Sequence, residues 1–156
     1  MDRIELIRRE IDSVIDQIPS ASVKRAAALH IYGVSQLCAL LASRRGLDVE
    51  LGIIAGLLHD IYRYKAMTGH EHAHKGAAMA REILQKSDCF SKEEIEAVTG
   101  AIYFHSDKKE RHLPLDEVLK DADVLQRVLY DPSYQTGTWE KARMERLREE
   151  LGMKGD

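Results

Sequence analysis

The chain has 156 residues, enough for one domain with a real core; 44% are hydrophobic and 31% charged. A net charge of −3 and a pI near 6.2 leave no basic excess, so binding to a nucleic acid polymer is not expected. No apolar run is read as approaching a membrane span of ~20 residues, the charged opening MDRIELIRREID is unlike a secretory leader, and Cys38 and Cys89 lack both CxxC spacing and a disulfide pattern. A cytoplasmic protein with no membrane partner is expected.

The periodicity is helical almost throughout, with no strand alternation, repeat or linker, which predicts an all-α, single-domain bundle of about six to eight helices over residues 1–156. A first helix runs from about Asp2 to Ile18, with Ile4, Ile7, Ile11, Ile15 and Ile18 on one stripe. A second begins after Ser22 and stops at Gly46; His30 shares its apolar face with Val34, Leu37, Cys38 and Leu41. Asp48 caps a third, VELGIIAGLLHDIYRY, which is apolar nearly all round and therefore central. Its Gly52 and Gly56, four apart, suit close approach of another helix. His59 and Asp60 fall near its end; neighbours on a helix diverge by about 100°, yet both can reach one cation in the groove beside the helix.

The fourth helix, HEHAHKGAAMAREIL, opens on three histidines. His74 lies on its wet side with Arg81, while His70 and His72 both sit at an edge of the apolar side, a choice that helical geometry leaves open. Ser91 and Glu94 form a capping box for the fifth helix, with Phe90 and Ile95 as a hydrophobic staple. Ile95, Val98 and Ile102 face inward there, and His105 borders that stripe. The sixth, LPLDEVLKDADVLQRVL, turns Leu115, Val118, Leu119, Ala122, Leu125 and Leu129 inward, with Asp121 and Asp123 flanking them. After the turn-rich YDPSYQTGT, a charged helix from Trp139 to Leu151 reads as a surface or lid element, so that residues 131–152 are a candidate for substrate selection.

His30, His59 with Asp60, His105 and an aspartate of KDAD thus come from four helices, each at or near an apolar stripe. Buried imidazoles and carboxylates need partners, and one shared cation would satisfy them all. Imidazole and carboxylate donors suit a divalent transition metal: Mn, Fe, Co, Ni or Zn.

With HIYGV, AGLLHDI, HAHKGA and DADVL in that order, the chain resembles the HD superfamily of metal-dependent phosphohydrolases over roughly residues 25–128. The resemblance implies His30, His59, Asp60 and Asp123 as metal ligands; the alanine before Asp123 and the hydrophobic pair after it select it over Asp121. Some members hold a second metal through two further histidines, which would be His72, by its spacing to Gly76, and His105. Many members have Gly-Lys where this chain has Tyr62 and Arg63.

The implied activity is hydrolysis of a nucleotide or other small phosphoester by metal-activated water. Asp60 would bind metal and help accept the water's proton, and Arg63 or Lys65 would pair with phosphate oxygens. A di-iron oxygenase of the same superfamily and a non-catalytic metal-binding regulatory domain are the alternatives. Lys75, Lys108, Lys109 and Arg111 read as a solvated charged face, with recruitment of an anion as the alternative; His112 reads as a solvated loop residue, and Asp121 as a carboxylate able to orient a ligand histidine.

Overall fold

The computed structural model describes residues 2–154, and every regular element among them is an α-helix. Eight follow one another: α1 (Arg3–Asp16), α2 (Ala21–Arg44), α3 (Val49–Leu58), α4 (Ile61–Ala66), α5 (His72–Ser87), α6 (Lys92–Phe104), α7 (Pro114–Tyr130) and α8 (Thr138–Leu151). Side-chain oxygens satisfy the free N–H groups at several starts. Asp2 caps α1, Asp48 caps α3, and Ser91 with Glu94 forms the expected capping box of α6. The cap of α2 is Ser20, accepting from Val23 N, so the helix begins a half-turn earlier than a Ser22 cap implies. Its other end is as expected: Gly46 takes φ +66° and Leu47 N returns to Ala42 O at 2.9 Å.

Helix α3 is the hub, in contact with α1, α2, α6 and α7, and its Ile54, Ala55, Leu57 and Leu58 are wholly buried. Helix α1 lays Ile7, Ile11 and Ile15 into the core, and Arg3 pins its start to Glu50 of α3 and Glu94 of α6. Helix α2 is long and apolar enough to span a membrane by length and composition, contrary to the reading that no stretch of the chain is. Within the bundle it buries Ala27, Ile31, Val34, Cys38 and Leu41 against its neighbours.

Several expectations are corrected. The third helix is two, because the backbone leaves α-geometry at Asp60 (φ −109°, ψ 14°). The fourth starts at His72 rather than His70, since Glu71 is left-handed (φ 51°). Leu129 is exposed. Helix α8 buries Arg143, Met144 and Leu147, with Arg143 ion-paired to Glu117 and Asp121 of α7, so it is docked by charge as well as by apolar contact.

The two α3 glycines do what their spacing suggests, and unequally. A Cβ on Gly56 would lie 2.6 Å from Ser35 Cα and 2.9 Å from Ser35 N, inside the backbone of α2. One on Gly52 would meet the Ala42 methyl at 3.2 Å and the Cys38 carbonyl oxygen at 3.3 Å, tight but several tenths of an ångström longer. Overpacking of this kind costs about 1–3 kcal/mol, and backbone yields less readily than side chain. Gly56→Ala is therefore expected to lose about 3 kcal/mol in urea unfolding and Gly52→Ala clearly less. Equal midpoints for the two variants would contradict this account of the α2–α3 contact.

Candidate metal centre

The break between α3 and α4 is what lets adjacent residues face the same point. On a continuous helix His59 and Asp60 would diverge, whereas here His59 Nε2 lies 3.6 Å from Asp60 Oδ2. Helix α2 brings His30, whose Nε2 is 3.1 Å from His59 Nε2 and 3.5 Å from Asp60 Oδ2. Helix α7 brings Asp123, with Oδ1 3.4 Å from His30 Nε2 and 4.0 Å from His59 Nε2. On the other side of Asp60, its Oδ1 faces His72 Nε2 at 3.4 Å and His105 Nε2 at 3.6 Å, and those two nitrogens are 3.2 Å apart. Two donor sets, His30–His59–Asp60 and Asp60–His72–His105, therefore share one carboxylate.

The donor chemistry fits divalent cations. Atoms about 2.0–2.1 Å from a tetrahedral ion must sit about 3.4 Å from one another, close to most of the spacings above. Both oxygens of Asp60 and Oδ1 of Asp123 are buried and lack a hydrogen-bond partner, which in a folded protein marks a place for an ion.

The imidazoles are oriented for the same purpose. Nδ1 of His59, His72 and His105 meets the carbonyls of Gly56 (2.7 Å), Gly69 (2.9 Å) and Ile102 (2.7 Å). A carbonyl only accepts, so each Nδ1 carries the proton and each Nε2 presents a lone pair inward. His30 is held by a side chain instead, with Nδ1 2.6 Å from Gln126 Oε1. Lone pairs facing each other across 3.1 and 3.2 Å repel unless a cation or proton lies between them.

The charges around the centre favour ionised carboxylates there. Burial would raise the carboxyl of Asp60, but the surrounding histidines, His59 first, hold it well below its ordinary value. Asp123 is likewise held low against burial by Lys108, His30 and Arg127. His30 rises to about 9 because Asp123 and Asp60 outweigh its desolvation, whereas burial pushes His59 down to about 3.

His72, rather than His70, joins the centre; His70 is exposed beside Glu71. His74 stays outside, stacked on Tyr103. Arg63 stands at the rim, half-exposed and 3.9 Å from Asp60 Oδ2. Lys65 does not join it: the side chain lines a separate pocket between α1, α4 and α5 with Glu10, Met79 and Glu82. Asp121 orients no histidine, because it pairs with Arg45 and Arg143 on the opposite side of α7.

The sequence reading missed three residues. Gln126 and Arg127 follow Asp123 by three and four positions, the spacing that puts helical neighbours on one face, so they were findable. Arg127 Nη2 reaches Asp123 Oδ1 at 3.2 Å. Lys108, assigned to a solvated face, is only partly exposed and donates to Asp123 Oδ2 (2.6 Å) and His105 O (2.7 Å), joining the two donor sets. It comes from a loop, where periodicity gives no signal. The glycine of HIYGV also gains a reason, for a Cβ on Gly33 would come within 2.9 Å of Gln126 Cγ.

Partners that orient ligand histidines are typically worth ten- to hundredfold in metal affinity. Gln126→Leu is therefore expected to weaken metal binding by roughly that factor in competition with a chelating dye. Gly33→Ala should shift affinity in the same direction by displacing Gln126. Wild-type affinity in Gln126→Leu would mean that His30 is not held through this contact. Chelation should also lower the melting temperature of the wild type and leave Asp60→Ala almost unmoved, since an ion at 100 times its Kd contributes about 2.7 kcal/mol.

Comparison with known proteins agrees with this geometry. No curated protein matches the chain. Among solved structures, the crystal structure of a predicted HD superfamily hydrolase from an uncultured Thermotogales bacterium is similar, with 28% identity and a TM-score of 0.62, covering 92% of this chain and 87% of that one. The HD domain family matches residues 28–128, which is more than half of the chain and includes every residue from His30 to Asp123, and the protein belongs to that family.

Proposed function

We propose that the chain is a phosphohydrolase acting on a nucleotide or other small phosphoester, with a divalent ion on each side of Asp60. The observation that carries this reading is the Asp60 carboxylate, buried and without a hydrogen-bond partner, whose two oxygens face separate pairs of imidazole nitrogens. Membership of the HD family and the likeness to a predicted HD superfamily hydrolase support it. Bound ions of this kind supply Lewis acidity toward a phosphoryl oxygen and lower the pKa of water.

The chain's own residues divide the remaining work. Arg63, half-exposed at the rim, is placed to offer a guanidinium fork to phosphate oxygens. Arg127 sits beside Asp123 and donates to Tyr134 Oη of the loop after α7 (3.5 Å), a contact that supports reading that loop as a selector of substrate. Lys108, pinned to Asp123 and to the His105 carbonyl, offsets carboxylate charge and is not free for substrate. With both Asp60 oxygens turned to imidazole nitrogens, its first role is to hold the two donor sets together rather than to take a proton. A compact substrate fits a chain without basic excess.

The test is a panel of nucleotides and simple phosphoesters, assayed with Mn, Co, Ni and Zn. Turnover is expected with at least one combination, lost in Asp60→Ala and reduced roughly ten- to hundredfold in Arg63→Ala, chiefly through KM. No phosphate release, together with oxygen uptake by iron-loaded protein, would favour the di-iron oxygenase reading instead. No turnover of either kind would leave a metal-binding domain.

Ion number has its own check. His72→Ala and His105→Ala should each lower bound metal from about two per chain toward one, and His74→Ala should match the wild type. Full stoichiometry in both of the first two variants would remove the second ion.

A further inference from the structure

The largest pocket described lies away from the metal centre, between the end of α2, the outer side of α7, α8 and the 107–113 loop. Its volume is about 720 Å³, within the ordinary range for small-molecule sites. Five basic and three acidic side chains line it. The acids are already engaged: Arg143 holds Glu117 and Asp121, while Arg45 holds Asp121 and Glu150.

What remains is cationic. Arg111 and Arg146 line the pocket, and neither has an ion pair among the described residues. His112 adds a ring N–H donor. The ammonium of Lys120, wholly buried, lies 2.6 Å from His112 Nδ1. An ammonium can only donate, so Nδ1 accepts and the ring proton of His112 sits on Nε2. Leu47, Pro114 and Leu147 supply an apolar wall.

We propose that this pocket binds a small organic molecule bearing a phosphate group, at a site separate from the metal centre. Two exposed guanidinium forks and a ring N–H lining one pocket match the charge and the several oxygens of a phosphate, and the apolar wall suits its organic part. The pocket is also wired to the centre. Arg143 Nε donates to Lys108 O at 2.9 Å, and the Lys108 ammonium lies on Asp123. The site does not depend on the reaction proposed for the metals.

The probe is phenylphosphonate, whose P–C bond resists hydrolysis, titrated into zinc-loaded full-length protein and followed by amide NMR. The His112 and Leu147 amides are expected to shift and saturate. Arg111→Ala with Arg146→Ala should weaken that response about tenfold or more. Arg9→Ala with Arg25→Ala makes the same change in net charge elsewhere and should leave it intact. Shifts confined to residues around the metal centre would overturn the proposal, and so would equal weakening in the two double variants. Resonances near Asp60 report on the metal centre independently, so failure at one site is not mistaken for failure at the other.

Discussion

A carboxylate that is buried, ionised and given no hydrogen bond is the most demanding group in this molecule, and Asp60 is one. Its cost is bearable only if positive charge stands against both oxygens. The surrounding architecture follows from that requirement. Helices α2, α5, α6 and α7 each deliver a residue to it, and the break after α3 aims His59 and Asp60 at the same place. Gly56 lets α3 lie against the backbone of α2, which brings His30 within reach. A continuous α3 would have been the better helix and the poorer site.

Much of this was legible in the sequence because helical faces are periodic. The isoleucine stripe of α1, the apolar α3, the Ser91–Glu94 box and the inward placement of His30 and His105 all follow from spacing and capping chemistry. The choice of Asp123 over Asp121 did not; it rested on family resemblance, and the structure turns Asp121 to Arg45 and Arg143. What periodicity could not show was where a helix stops being one. Nothing in GLLHDIYRY signals a break at Asp60, and nothing in TGHEHAH announces the left-handed Glu71 that chooses His72 over His70. Lys108 was invisible for a related reason, since loop residues have no face until the chain is folded.

Charge on α7 is sorted by side. Asp123, Gln126 and Arg127 serve the metal centre, while Glu117 and Asp121 take the arginines of α2 and α8. The 107–113 loop repeats the division, with Lys108 turned to one side and Arg111 and His112 to the other. One helix and one short loop therefore form the partition between two polar compartments, and the guanidinium of Arg143 bonds to both.

The way the four imidazoles are held has an evolutionary consequence. Three have Nδ1 fixed by main-chain carbonyls, at Gly56, Gly69 and Ile102, whereas Nδ1 of His30 leans on the side chain of Gln126; Ser106 Oγ also lies 3.2 Å from His72 Nε2. A carbonyl is present whatever residue carries it, so a substitution at Gly69 or Ile102 that leaves the backbone where it is keeps the anchoring group, while Gly56 is fixed separately by the close approach of α2. Position 126 is different, because exchanging amide for carboxylate, hydroxyl or hydrocarbon would regrade the basicity of His30 in a single step. Selection thus has a dial on the Nδ1 grip of His30, whereas the Nδ1 grips of His59, His72 and His105 are set by the main chain. Descendants of this chain would be expected to diversify at position 126 while the Nδ1 anchors of the other three imidazoles stay constant.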